Sequence, residues 1–288
     1  MAEKDKVQRT LESYNDVFAD IVNVLLFNGA ETVKENELTD AQPFSYYKMD
    51  GKKINSQERD VSKFWNNGQI RLSLIGLENQ MKTDKYMPLR IIGYDGAAYR
   101  AQLLDKSVKR CYPIITLVLY FGTKRHWKRN RKLKEVIAIP SGLDPYISDY
   151  KINVFELAWL PDEQISKFKS DFREVVQFLK CQRTDKVFTG SKKKLKHAME
   201  ILDLLRVMSE NDKDFVSSIE NFNEQSIEGG IGMCNVIQYW VNEGRQSKAE
   251  ETATNMLKKE YPVSDIVEIT GLTMDKVLEL QKGILVKV

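Results

Sequence analysis

The chain has 288 residues, 42% of them hydrophobic and 30% charged, which is enough for one large domain or two ordinary ones with a real apolar core. A net charge of +3 excludes a general polycation, and Cys111, Cys181 and Cys234, with no C-x-x-C spacing, argue against a zinc site or a disulfide framework. No apolar run nears the roughly 20 residues that span a bilayer, and the polar first ten residues show no signal peptide, so a cytoplasmic protein with no membrane partner is expected.

Taken in chain order, Val17, Phe18, Ile21, Val22, Val24, Leu25 and Leu26 recur at helical spacing and predict a helix over residues 11–28, stopped by Gly29. Residues 30–57, with Pro43 and Gly51, read as a long loop carrying one strand at 44–48. A hairpin follows, with strands over 59–65 and 70–79 joined by Asn66-Asn67-Gly68, because Asn-Gly tolerates the positive φ of a tight hairpin turn. Pro88 opens a helix to about residue 104. Residues 114–121 form an apolar, β-rich run ended by Gly122, the pattern of a strand covered on both faces. A strand over 152–160 and a helix over 161–181 complete a three-layer α/β/α sandwich with a mixed sheet. Composition changes after Gln182, and nearly everything downstream reads as helix. The expected division is therefore residues 1–182 and a helical region 183–288.

The hairpin carries the chemistry. Residues i and i+2 of a strand share a face, so Glu78 and Gln80 point one way and Asn79 the other. Asp60 begins the partner strand and Glu78 ends its own, so the two carboxylates lie at the open end of the hairpin. Two acidic groups held together by strands suit a hard divalent cation. Register matters here. A two-residue Asn67-Gly68 turn pairs Asp60 with Ile75 and sends the two carboxylates to opposite faces. A three-residue turn restores the face but leaves them offset. A longer loop or a bulge brings them together.

These residues resemble the PD-(D/E)XK nuclease superfamily and, within it, the transposase-like recombination-promoting nucleases. The resemblance covers roughly residues 13–180 and rests on four segments in order. They are Glu58-Arg59-Asp60-Val61, Ile75-Gly76-Leu77-Glu78-Asn79-Gln80, Met87-Pro88-Leu89-Arg90 with Tyr94-Asp95, and the segment from Tyr112 to Gly122. It implies a restriction-endonuclease-like fold and a catalytic set of Asp60, Glu78 and Gln80. It also implies Mg²⁺, with Mn²⁺ able to substitute, held by Asp60, Glu78 and the main-chain carbonyl of Asn79. Gln80 stands where the wider superfamily has a lysine. An amide orients water but brings no positive charge, so the ion must carry more of the transition-state stabilisation. An acid of the first helix, Asp16 or Asp20, is either a further ligand or an exposed charge. Arg90 and Tyr94, one turn apart, either face the metal site and touch phosphate or belong to the packing.

Residues 124–134 hold seven cations in eleven positions. With no acid among them, Lys124, Arg125, Lys128, Arg129 and Arg131, and the interleaved ring of Trp127, suit phosphate contact and base stacking. Near residues 264–281, Ser264 and Thr273 as N-caps around Gly271 suggest a helix-turn-helix, or else a small packing or dimerising unit, since Asp275 and Glu279 suit a major groove poorly. The expected protein is a metal-dependent DNA endonuclease linked to recombination or a mobile element. The alternative is a DNA-binding protein that keeps the nuclease fold with weak or absent catalysis.

Overall fold

A computed structural model describes residues 2–41, 44–48, 54–68, 70–128, 130–209 and 232–285. Helices α1 (Ala2–Ser13) and α2 (Asn15–Phe27) replace the single helix expected, because Tyr14 at φ −66° and ψ 131° is extended and breaks them apart. Asn28 ends α2 in the left-handed region at φ 55°, with Gly29 following at φ 87°. Strands β1 (Leu38–Asp40), β2 (Phe44–Lys48) and β3 (Ile54–Glu58) occupy the segment read as a long loop. Next come β4 (Val61–Asn67), β5 (Ile70–Gln80), α3 (Met87–Leu104), β6 (Ile114–Tyr120) and β7 (Asn153–Glu156).

The main sheet runs β1-β4-β5-β6-β7, antiparallel as far as β5 and parallel from β5 to β7, and β2 with β3 forms a separate two-stranded sheet. This is the mixed α/β architecture expected. On one face, Met87, Ile91 and Tyr94 of α3 bury against Val118, Tyr120 and Val154. On the other, Phe121 meets Phe172 edge-on at 6.4 Å, and the fully buried Lys63 lies 5.8 Å over the ring of Phe18. Helices thus cover both faces, which is why the middle strands read as nearly continuous apolar runs.

Two expected elements are shorter than their sequence patterns. β7 gives way to a single 3-10 turn at Leu157–Trp159. The helix over 161–181 is two pieces, α4 (Asp162–Ile165) and α5 (Phe172–Thr184). The buried carboxylate of Asp20 accepts the backbone N–H of Lys169 at 2.9 Å and of Ser170 at 2.7 Å, supplying partners where the helix is interrupted.

Contacts divide the chain into two compact units, residues 1–188 with 199–205 and residues 189–198 with 206–288. Helix α6 (Ala198–Met208) runs across that division. In the second unit, α7 (Met233–Leu257), α8 (Val263–Thr270) and α9 (Met274–Leu285) pack around Ala253, Ile266 and Val277. Gly271, at φ 71°, makes the left-handed turn between α8 and α9, and Thr273 accepts the N–H of Lys276 at 3.3 Å as a cap. Ser264 is not a cap. It lies inside α8, which Pro262 precedes. No helix among the described residues is long and apolar enough to cross a membrane.

One buried polar network fixes the entry to β4. Arg59 crosses over Gly76, where a Cβ would lie 2.4 Å from its Cδ, so only glycine leaves it room. Its guanidinium donates to Asp95 at 2.6 Å, and Asp95 also accepts the hydroxyls of Thr116 at 2.7 Å and of Tyr150. Removing one partner of a buried pair strands the other charge. Asp95→Ala is therefore expected to lower unfolding free energy by about 3–5 kcal/mol in urea titrations, and the double change Arg59→Met with Asp95→Leu by much less. A loss below about 1 kcal/mol for Asp95→Ala would show that the network is not a structural anchor.

Candidate active site

The hairpin solves its register problem with one residue. Val61 pairs with Leu77 and Trp65 with Ser73, but Asn66 pairs with Arg71 and Asn67 with Ile70. The ladder slips between Trp65 and Asn66, leaving Leu72 as an extra residue in β5. Carried one step beyond Val61, the shifted register sets Asp60 opposite Glu78, the juxtaposition that an unbroken two-residue hairpin cannot give. Glu78 and Gln80 then lie on the α3 face, beside Val118 and Tyr120 of β6 in the ladder.

Glu78 is 2% exposed. Its Oε1 accepts Arg90 Nη2 at 2.5 Å and the Gln80 amide at 3.3 Å, while Oε2 is buried with no donor. Burial, with the like charge of Asp60, pushes Glu78 up to about 8 against the pull of Arg90 and Arg59. The short Arg90 contact favours the charged form. Burial outweighs it, and the carboxyl is held above its ordinary range. Arg90 is tied in addition to Asp84 at 3.3 Å and to the Tyr94 hydroxyl at 3.2 Å. The expected pair Arg90 and Tyr94 is thus brought to Glu78, Arg90 by its ion pair and Tyr94 through the Arg90 contact, with the Tyr94 ring in the core.

Asp60 is held from two sides. Arg9 Nε and Nη2 each lie 2.8 Å from Oδ1, and the backbone N–H of Asn79 donates to Oδ2 at 2.6 Å. The Asn79 side chain turns the other way and donates to Glu12 Oε2 at 2.7 Å. Glu12 is 1% exposed, its Oε1 has no donor, and burial raises it to about 8. The first-helix acid that borders the site is therefore Glu12, from α1. Asp16 and Asp20 lie on α2, and Asp20 is spent on the amides before α5. Sequence reasoning passed over Glu12 and Arg9 because α1 shows only a thin apolar stripe. Val7 and Leu11, four apart, are its one helical signal.

The basic segment leaves the carboxyl end of β6, and Tyr120 there pairs with Gln80, so it emerges from the same sheet edge as the carboxylates. Lys124, Arg125 and Lys128 are exposed and make no ion pair among the described residues, whereas Arg129 lies outside those residues. Two expectations need correction. Trp127 is 4% exposed and packs edge-on against Tyr120 at 5.4 Å, so its ring is core and cannot stack on a base. Nor do all the cations go uncompensated. Glu156 accepts Arg131 at 2.7 Å and the backbone N–H of Trp127 at 2.8 Å, and Lys134 meets Asp144 at 3.1 Å. These acids come from later in the chain, where a local charge count does not look.

Residues 72–213, just under half of the chain, match the model of a family described as "Putative transposase, YhgA-like", which belongs to the PD-(D/E)XK-like group. The match takes in Glu78, Gln80, α3, β6 and the basic segment, and it begins after Asp60 and Glu12. No curated protein and no solved structure gave a significant match.

The raised carboxyls make stability depend on pH. A group whose folded value lies above its unfolded one holds its proton in the folded state after the unfolded chain has released it. Its contribution is complete below the ordinary value of 4.5 and lost as pH rises through about 8. Without divalent ions, stability should fall between pH 5 and 8. Glu12→Gln should raise the urea midpoint at pH 8 and leave it nearly unchanged at pH 5. Equal midpoints for the two proteins at both pH values would show that Glu12 is not held protonated.

Proposed function

We propose that this chain is a divalent-metal-dependent nuclease that hydrolyses DNA phosphodiesters in the service of a mobile element, of the kind that promotes recombination. The observation that supports the reading is the register slip at Leu72, which pairs Val61 with Leu77 and so brings Asp60, one residue before β4, close enough to Glu78 for its charge to raise that carboxyl. No three His, Cys, Asp or Glu side chains among the described residues group as a metal cage. Two carboxylates, Asp60 and Glu78, are the donors this reading assigns to Mg²⁺, or to Mn²⁺ in its place. Mg²⁺ takes one or two carboxylates and keeps several waters. The buried oxygens without donors, Glu78 Oε2 and Glu12 Oε1 among them, are acceptors of the hard-oxygen class such an ion takes.

In this reading Asp60 and Glu78 hold the ion, with the main-chain carbonyl of Asn79 as a third donor. A divalent ion bound there supplies charge neutralisation at the phosphate and a lowered pKa for water. The chain's residues do the rest. Arg90 balances Glu78 and presents a guanidinium to substrate oxygens. Gln80 orients water through its amide, without the positive charge a lysine brings. Lys124, Arg125 and Lys128 line the approach of the backbone.

Asp60→Ala and Glu78→Ala are each expected to reduce Mg²⁺-dependent plasmid nicking by at least about a hundredfold while leaving the fold and DNA retention intact. Undiminished nicking by both variants would refute the site. A second reading, a DNA-binding protein without catalysis, is favoured by one observation. The Gln80 amide and both Asp60 oxygens are already engaged by protein partners. Wild-type protein that retains DNA but never nicks it in Mg²⁺ or Mn²⁺ would establish that reading.

The basic segment has its own signature. Neutralised phosphates release counterions, giving a salt slope of about −0.9 per contact on duplex DNA. Changing Lys124, Arg125 and Lys128 together to alanine should make the slope of log affinity against log salt shallower by about 2–3. An unchanged slope would remove these residues from the interface.

A further inference from the structure

No motif marks Arg9, yet its guanidinium lies against the carboxylate that the nuclease reading needs most. Nε and Nη2 both reach Asp60 Oδ1 at 2.8 Å, and Oδ2 is taken by the Asn79 N–H at 2.6 Å. Each oxygen that a cation would use on Asp60 is therefore occupied by a donor. The Arg9 side chain is still 36% exposed, against 12% for Asp60. It sits at the rim of the site with a path to solvent. Arg90, on the Glu78 side, is held as well by Asp84 and Tyr94, and that three-way hold keeps it in place.

An ion on Asp60 and a guanidinium on the same oxygen would be like charges a few ångströms apart, in a site where burial weakens screening. The two exclude each other unless an anion arrives to separate them. A phosphodiester oxygen pair is that anion, because the planar fork of arginine matches phosphate as well as carboxylate. Lysine lacks the fork, so the residue type is itself part of the inference.

We propose that Arg9 is a phosphate-binding residue of the nucleic-acid site, and that its transfer from Asp60 to a substrate phosphate frees Asp60 for the metal. Metal and nucleic acid then bind cooperatively, each raising the affinity of the other by the same factor. The inference rests on the metal reading given above. It also gives a reason for Asp60 to be fully partnered in the absence of substrate. Arg9 keeps the half-buried acid from standing uncompensated, and Mg²⁺ is admitted only once a strand is in place.

The test is Mn²⁺ binding by the full chain, followed by electron paramagnetic resonance, with and without a short phosphorothioate duplex that resists cleavage. In wild type the duplex should tighten Mn²⁺ binding at least about fivefold, and Mn²⁺ should tighten duplex binding equally. Arg9→Met should bind Mn²⁺ without duplex more tightly than wild type by a similar factor, and the duplex should tighten it less than it tightens wild type. Arg9→Lys, with the charge but not the fork, should fall between the two. Asp60→Asn is the control that removes the site. Asp60-dependent Mn²⁺ binding of equal strength in wild type and Arg9→Met overturns the role of Arg9 and leaves the metal site standing. Absence of Asp60-dependent binding in every form overturns the metal reading and this inference with it.

Discussion

One extra residue in β5 decides what the hairpin can do. Strand side chains alternate with a period of two, so a slip of one residue moves a whole set to the opposite face. Without the slip between Trp65 and Asn66, β4, which Asp60 immediately precedes, would meet β5 one position out of step, and the approach of Asp60 to Glu78 would be lost. With it, both acids reach the open end of the hairpin, and the apolar residues of β4 and β5 keep their places in the core. The buried pair of Arg59 and Asp95 steadies the same corner from beneath, passing through the gap that Gly76 leaves.

The parallel strands add the second condition. β5, β6 and β7 end side by side, so Gln80, Tyr120 and Glu156 stand in one row and the loops beyond them share an edge. The carboxylate of Glu78 from β5, that of Asp60 just before β4, an arginine from α3, an acid and an arginine from α1, and the cations that follow β6 all gather there. Apolar packing of α3 on one face and of α2 and α5 on the other supports an edge rich in buried, imperfectly satisfied polar atoms. Glu12 and Glu78 pay for their burial with raised pKa values and donorless oxygens, the kind of local conflict that the rest of the fold must outweigh.

Much of this architecture was legible in the sequence. Pro88 announced α3, the β-branched run ended by Gly122 announced β6, and Asn-Gly announced a hairpin, because each signal is local, although Asn66 and Asn67 extend β4 and the ladder closes between Asn67 and Ile70. The bulge was not legible as a position, only as a requirement, since Leu72 looks like any strand residue in the sequence. β1 and β3 were hidden for a similar reason. They are short and polar, and pairing with a partner strand defines them better than composition does. Glu12 and Arg9 were missed because their helix has little apolar patterning of its own. Trp127 misled for the opposite reason. A ring among cations resembles a stacking platform, but Tyr120 was already waiting for it in the core.

A crystal of the full chain soaked in Mn²⁺, with data collected at the manganese absorption edge, tests the central claim most directly. An anomalous peak is expected within about 2.2 Å of one oxygen from Asp60 and one from Glu78, strengthened when a duplex is present. Carboxylates still held by Arg9 and Arg90, with no peak between them even when a duplex is bound, would contradict it.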